Sequence, residues 1–149
     1  MTDVDSSAGV SPRARPAGRD VSNDQSMVLK ITMGSQSFLL PADIGSAAEA
    51  GLLAERADVR AQVLKSPHHG SRTSSSPEFL EAVRPEIVVV TTGRGNFYGL
   101  PHPDIISRYR DRGARVLRTD EEGAVRISTD GSSLRVETSE GSRRAARER

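Results

Sequence analysis

An α/β layered domain is the fold class this sequence predicts, and three observations predict it. Short β-rich runs alternate with segments that carry helix-start signals, the pattern of strands joined through helices. Ile87-Val88-Val89-Val90 is a continuous apolar, β-branched run between Pro85 and Gly93, as expected of a strand buried on both faces. The length, 149 residues, fits one domain rather than two. At 35% hydrophobic, 3% aromatic and 28% charged, the composition is polar enough that part of the chain is expected to stay unfolded.

Residues 1–22 mix Asp, Ser, Gly, Pro and Arg with isolated apolar positions, so they bury too little surface to offset their ordering entropy and are expected to form a disordered arm. From Asn23 the texture changes. The run from Ser26 to Thr32 predicts a strand, Met33-Gly34-Ser35-Gln36 a turn, and Ser37-Phe38-Leu39-Leu40 the second strand of a hairpin. Pro41-Ala42-Asp43-Ile44-Gly45 then breaks the sheet. Ser46 and Glu49 have capping-box spacing, which predicts a helix from Ser46 to about Glu55 and leaves Asp43 in a strand-to-helix loop.

Ala61 to Lys65 reads as a short strand ending before Pro67. Ser76-Pro77-Glu78-Phe79 reads as a cap followed by Pro at the first helical position, opening a helix to about Val83. After the Ile87–Val90 strand, a Gly-rich loop from Gly93 to His102 leads to a helix from Pro103 to about Arg112, stopped by Gly113. Val116-Leu117, Ala124 to Ser128 and Leu134 to Val136 are expected to follow as a meander of short strands. The domain is thus expected over 23–138. Residues 139–149, with Arg143, Arg144, Arg147 and Arg149, are expected to be a flexible basic tail.

Charge and cysteine content narrow the functional classes. Lys+Arg 21 against Asp+Glu 20 gives a net charge of +1, so no whole-molecule field draws in DNA or an anionic membrane, and any nucleic-acid contact is local. With no cysteine there is neither a disulfide framework nor a thiolate metal site. No stretch approaches the ~20 apolar residues of a membrane span. The chain as it stands therefore reads as soluble and cytoplasmic.

The chemistry concentrates in the stretch from Lys65 to Ser76, which holds His68 and His69, two of the three histidines in the chain. Asp43 and the third histidine, His102, come from other strand ends. Imidazole and carboxylate are ligands for zinc or manganese, and a bound metal makes hydroxide available at neutral pH. Adjacent histidines in an extended loop point in different directions, so at most one ligates a given ion, and polar loops at strand ends are also simply where polar residues sit. Ser71 and the Ser74–Ser76 run lack the glycine-flanked elbow of a serine nucleophile. Gly93-Arg94-Gly95 lacks the third glycine of a phosphate fingerprint and reads better as a tight turn. Arg72, Arg94 and the hydroxyl-rich loop are candidates to hold a phosphate beside the histidines.

Several motifs, taken in order, resemble the metallo-β-lactamase-like domain of ComEC-type competence proteins, which are DNA-uptake channels. They are Asn23 to Leu29, Phe38-Leu39-Leu40-Pro41-Ala42-Asp43-Ile44, Val63-Leu64-Lys65-Ser66-Pro67-His68-His69-Gly70-Ser71, Gly93 to Pro103, and Leu117 to Asp120 with Gly123-Ala124-Val125. The resemblance runs roughly from Asn23 to Gly131. It implies the C-terminal half of an αββα sandwich with a two-metal hydrolytic site, using zinc or manganese if this chain binds metal at all. It also implies a phosphodiesterase activity on DNA and attachment of the family domain to a membrane channel.

By the same resemblance Asp43 and His69 are the candidate catalytic residues and Asp43, His68 and His69 the candidate metal ligands, with His69 favoured because it directly precedes the glycine. Ser71, Arg72, Asn96 and His102 are the candidate substrate-binding residues. The departures bear on activity. The usual Thr-Gly-Asp reads Pro41-Ala42-Asp43, a usual histidine is Leu100, and the hallmark His-x-His-x-Asp-His stretch is absent from the sequence. The expectation is a partial hydrolase domain, inactive alone or dependent on a partner chain that supplies the missing motif, with an open sheet edge prone to self-association. The alternative is a non-catalytic module that binds nucleic acid or protein.

Overall fold

The structure, a computed structural model, describes residues 23–141. The arm expected over 1–22 and, of the tail expected over 139–149, residues 142–149 lie outside the described residues. Strand β1 (Leu29–Met33) turns through Gly34, at φ 58°, into antiparallel β2 (Gln36–Leu40), with Leu29 opposite Leu40 and Ile31 opposite Phe38. The sequence then alternates as expected: α1 (Ser46–Ala54), β3 (Val63–Lys65), α2 (Pro77–Val83), β4 (Ile87–Val90) and α3 (Pro103–Arg110). Ser76 caps α2 by accepting from the Phe79 amide at 3.3 Å, and Pro77 occupies the first turn, where its missing N–H is not needed.

The last segment differs from the expected meander. β5 (Arg115–Arg118) joins the main sheet parallel to β4, in register from Ile87 opposite Arg115 to Val90 opposite Arg118. Only β6 (Val125–Thr129) and β7 (Leu134–Thr138) form a separate antiparallel hairpin, after a four-residue helical turn, α4 (Thr119–Glu122). Among the described residues the main sheet therefore has five strands in the order β1-β2-β3-β4-β5, antiparallel at β1/β2 and parallel elsewhere. Two apolar residues flanked by arginines gave little sign of this placement, which depends on the free edge that β4 offers.

Side-chain alternation along the strands separates two apolar layers. Leu39, Leu64, Val88 and Val90 face the helices and pack with Phe79, Leu80, Val83, Ile105, Ile106 and Tyr109. Val63, Ile87 and Leu117 face the other way, where Val125, Ile127, Leu134 and Val136 of the hairpin cover them. Full burial of Phe79 or Leu64 stabilises by roughly 1.5–3 kcal/mol each. The Ser35 amide donates to Gly131 O at 2.7 Å, so the β6–β7 turn is tied to the β1–β2 turn.

That hairpin does not cover the whole face. Leu29, Ile31 and Met33 lie on its side of the sheet, since Ile31 pairs with Phe38, which packs into the hairpin layer, yet they are 42%, 46% and 52% exposed. β1 is also an edge strand whose outer backbone groups pair with no strand among the described residues. No helix among the described residues is long and apolar enough to cross a membrane.

Candidate active site at the carboxyl edge of the sheet

Because β2, β3 and β4 run parallel, their carboxyl ends share one edge, the usual place for ligands in α/β sheets. β2 delivers Asp43, β3 delivers Lys65 and the histidine turn, and β4 delivers Thr91. There the Asp43 Oδ1 lies 3.3 Å from His69 Nε2 and 3.5 Å from Lys65 Nζ. His69 Nδ1 is 2.6 Å from the Thr91 carbonyl and 3.1 Å from its hydroxyl. A carbonyl only accepts, so the proton sits on Nδ1, and in the neutral imidazole the Nε2 lone pair points toward the carboxylate. Two acceptors face each other in that state. Burial pushes the Lys65 ammonium pKa down while Asp43 holds it partly up.

The backbone of the turn is unusual. His68 (φ 45°, ψ 43°) and His69 (φ 53°, ψ 25°) are both left-handed, a conformation that costs non-glycine residues on the order of 1–2 kcal/mol each. Gly70, at φ 79°, is required on two counts, since a Cβ there would stand 2.8 Å from the Cβ of Pro101. The turn is held by the His68 amide donating to Ala42 O at 3.1 Å and the His102 amide donating to Gly70 O at 2.9 Å, which ties three strand-end loops together.

Behind the turn lies a buried polar network. The Tyr109 hydroxyl is 2.7 Å from Ser66 Oγ and 2.5 Å from Ser75 Oγ, joining the two ends of the histidine segment to α3. Glu49, fully buried, accepts from the Ser75 and Ser76 amides at 2.5 and 2.8 Å. Ser74 Oγ donates to Pro67 O at 3.0 Å, and Arg108 to Ser75 O at 2.6 Å. This corrects the capping-box reading. Gly45, not Ser46, is the N-cap of α1, its amide bonded by Asp24 at 2.9 Å, and Glu49 points inward to clamp the loop.

Of the expected site residues, the structure brings Asp43 and His69 together. His68 occupies the same turn, but among the described residues no three His, Asp or Glu side chains form a group able to hold a metal ion. His102 lies apart from that pair. It caps α3 through Nδ1, which receives the Asp104 amide at 3.2 Å, and its Nε2 is 2.6 Å from Arg72. A neutral imidazole has one acceptor nitrogen, so the cap and the Arg72 contact compete for it. Asn96 is engaged within its own loop, donating to Leu100 O at 2.6 Å and accepting from the Leu100 amide at 3.1 Å. Ser71 Oγ bonds Thr73 Oγ1 at 3.0 Å. Sequence reasoning missed Lys65, Thr91, Glu49 and Tyr109 as parts of the site. For Thr91 the signal was its place directly after β4, beside the end of β3.

A layered α/β domain with an imidazole–carboxylate pair at the carboxyl edge of its parallel strands is the class that fold and site define. Among known proteins the chain is 32% identical over 103 residues to ComE operon protein 3 of Bacillus subtilis (strain 168), covering 69% of this chain and 13% of that protein. It is 38% identical over 106 residues to Competence protein ComA of Neisseria gonorrhoeae, covering 70% and 15% respectively. Recombination protein 2 of Haemophilus influenzae is 32% identical over 106 residues, or 71% of this chain and 13% of that protein. No protein-family profile matches. The chain belongs to the ComEC-type competence proteins as a region of them, and it spans only about 13–15% of the length of these curated relatives.

Proposed function

We propose that this region is one wall of a metal-dependent phosphodiesterase site of metallo-β-lactamase fold, acting on DNA during uptake. The other wall is a segment carrying His-x-His-x-Asp-His. The observation that carries the reading is the Asp43–His69 pair, with its 3.3 Å separation and its Nδ1 fixed on a backbone carbonyl. Histidines that bind metals characteristically donate their other nitrogen in this way. Two donors each about 2.0–2.1 Å from a tetrahedral ion stand about 3.3 Å apart, so the pair suits two positions around zinc or manganese. Two donors do not complete a hydrolytic centre, which is why a second segment is required. When bound, the metal would supply a water acidified to near neutral pH.

The chain's own residues position that chemistry. Asp43 and His69 hold two coordination positions, Thr91 fixes the imidazole tautomer, and Lys65 balances the carboxylate. The uncovered Leu29, Ile31 and Met33 stripe supports the same reading, because an αββα sandwich carries further strands on that face.

The test is metal analysis of the purified chain, alone and mixed with a polypeptide bearing the His-x-His-x-Asp-His segment. The mixture is expected to hold stoichiometric zinc or manganese and to hydrolyse bis-p-nitrophenyl phosphate, both lost in Asp43→Ala and His69→Ala. Metal content and hydrolysis indifferent to both substitutions would refute the reading. A metal-free mixture that still bound oligonucleotide at low salt would establish the binding-module alternative instead.

A further inference from the structure

The chain has three phenylalanines, two tyrosines and no tryptophan, and it spends two of these five aromatics on one loop tip in full solvent. Phe97 is 103% and Tyr98 86% exposed, the highest values among the large apolar side chains described. Desolvation argues against leaving two rings in water unless something covers them.

The tip is not free to wander. Its first stem begins at Thr91, bonded to His69, and its second ends at Pro101 and His102, packed on and bonded to Gly70. Asn96 cross-links the loop by bonding Gly93 O at 3.2 Å and both backbone groups of Leu100. Tyr98 is three steps along the chain from Pro101, a reach of at most about 11 Å, so the rings stand within a few nucleotides' length of the Asp43–His69 pair.

Cations flank the same loops. Arg94 Nε donates to Asp120 O at 2.9 Å and Arg72 Nη2 lies 2.6 Å from His102, which hold both guanidiniums beside the loop. Their side chains are 68% and 69% exposed, and their carboxylate partners, Glu140 at 3.4 Å and Asp104 at 3.5 Å, are distant enough for a phosphate to compete for the remaining N–H groups. Two rings between Asn and Gly neighbours fall far short of the roughly 800 Å² per partner of a stable protein interface. An anionic membrane surface calls for a basic cluster, and the loop from Gly93 to Pro101 carries Arg94 alone.

We propose that Phe97 and Tyr98 form a stacking platform for unpaired bases of a single-stranded nucleic acid whose backbone lies along Arg72 and Arg94 toward the Asp43–His69 pair. The inference rests on the phosphodiester reading above, and its test is independent of metal and turnover. Aromatic stacking tolerates any base and is lost with the ring.

The experiment is fluorescence anisotropy of the full chain without added metal, at low salt, with a labelled oligo-dT, an abasic strand of equal length and a duplex. Phe97→Ala/Tyr98→Ala is expected to weaken oligo-dT binding by about 5- to 100-fold. It should leave the abasic strand, which keeps the phosphates but not the bases, unchanged. Phe97→Tyr/Tyr98→Phe should retain the wild-type affinity, and the wild type should prefer oligo-dT to the duplex. Equal loss for both single strands, no loss for either, no oligo-dT binding by the wild type, or ring-dependent binding to phosphatidylserine vesicles in its place would each overturn the platform. Metal content and hydrolysis that still depend on Asp43 would then show that the phosphodiester reading survives without it.

Discussion

Glu49→Gln isolates what holds the histidine turn in place. The wild-type carboxylate accepts two backbone N–H bonds, from Ser75 and Ser76, residues 26 and 27 positions away in sequence, and it is fully buried. Gln keeps the volume and one acceptor oxygen but turns an NH₂ toward the second amide, so one charge-assisted bond is lost and one buried donor is left unmatched. Hydrogen bonds to charged groups contribute about 1.5–3 kcal/mol, and an orphaned buried donor costs about 1–3 kcal/mol. The two overlap, so a net loss of about 2–3 kcal/mol is expected, large against the roughly 5–15 kcal/mol of a domain. With no tryptophan in the chain, the assay is urea unfolding by far-UV circular dichroism. At an m of about 1–3 kcal/mol/M the midpoint should fall by about 0.7–3 M, and the amide exchange of Ser75 and Ser76 should accelerate. Glu78→Gln, on an exposed first turn, is the control and should lie within about 0.5 kcal/mol of wild type. A Glu49→Gln midpoint as close to wild type as that control, at unchanged m, would refute the clamp.

Tyr109→Phe should cost about 1–2 kcal/mol at neutral pH by removing the link between Ser66 and Ser75. Burial raises the Tyr109 phenol pKa, with the two serine hydrogen bonds partly opposing it. Its folded value therefore lies above the unfolded one, and the associated stability is complete below about pH 10 and lost as pH rises through the folded value. Urea midpoints between about pH 8 and 11 should fall in the wild type and less so in the Phe variant, and parallel curves would contradict this. At the open edge, the wild type is expected to self-associate by light scattering, and Leu29→Lys/Ile31→Lys, which places charge on the uncovered stripe, should abolish it. A wild-type chain that stays monomeric at high concentration would show that the stripe is no homotypic surface.

The elements were largely legible because their signals are local. The hairpin, the Ile87–Val90 strand and the Ser76-Pro77 cap follow from alternation, apolar continuity and capping chemistry, each confined to a few neighbours. The strand ends that meet at the site were legible as loops, and the family could be named from motifs inside them. What was not legible depends on partners distant in sequence. Glu49 sits three residues after Ser46, which reads as a capping box, and only burial against Ser75 reveals the clamp. β5 carries two apolar residues, so its place beside β4 is a matter of sheet topology. The left-handed pair His68 and His69 leaves no trace in composition, since neither residue is glycine.

That left-handed pair bears on how the site persists. Two strained residues cost together on the order of 2–4 kcal/mol, and Ser75, at φ 58°, adds a third. The surrounding bonds that offset this, from Glu49, Tyr109, Ser74 and Arg108, come from α1, α3 and the loop itself. The geometry that presents His69 to Asp43 is thus maintained by the core behind it. It follows that Asp43→Ala or His69→Ala should leave folding nearly intact while removing the imidazole–carboxylate pair, whereas substitutions at Glu49 or Tyr109 should disturb both. A turn held in strain by a buried network is expected where the strained residues have a task, and the group this turn presents at the carboxyl edge of the sheet is the His69 imidazole, 3.3 Å from the Asp43 carboxylate.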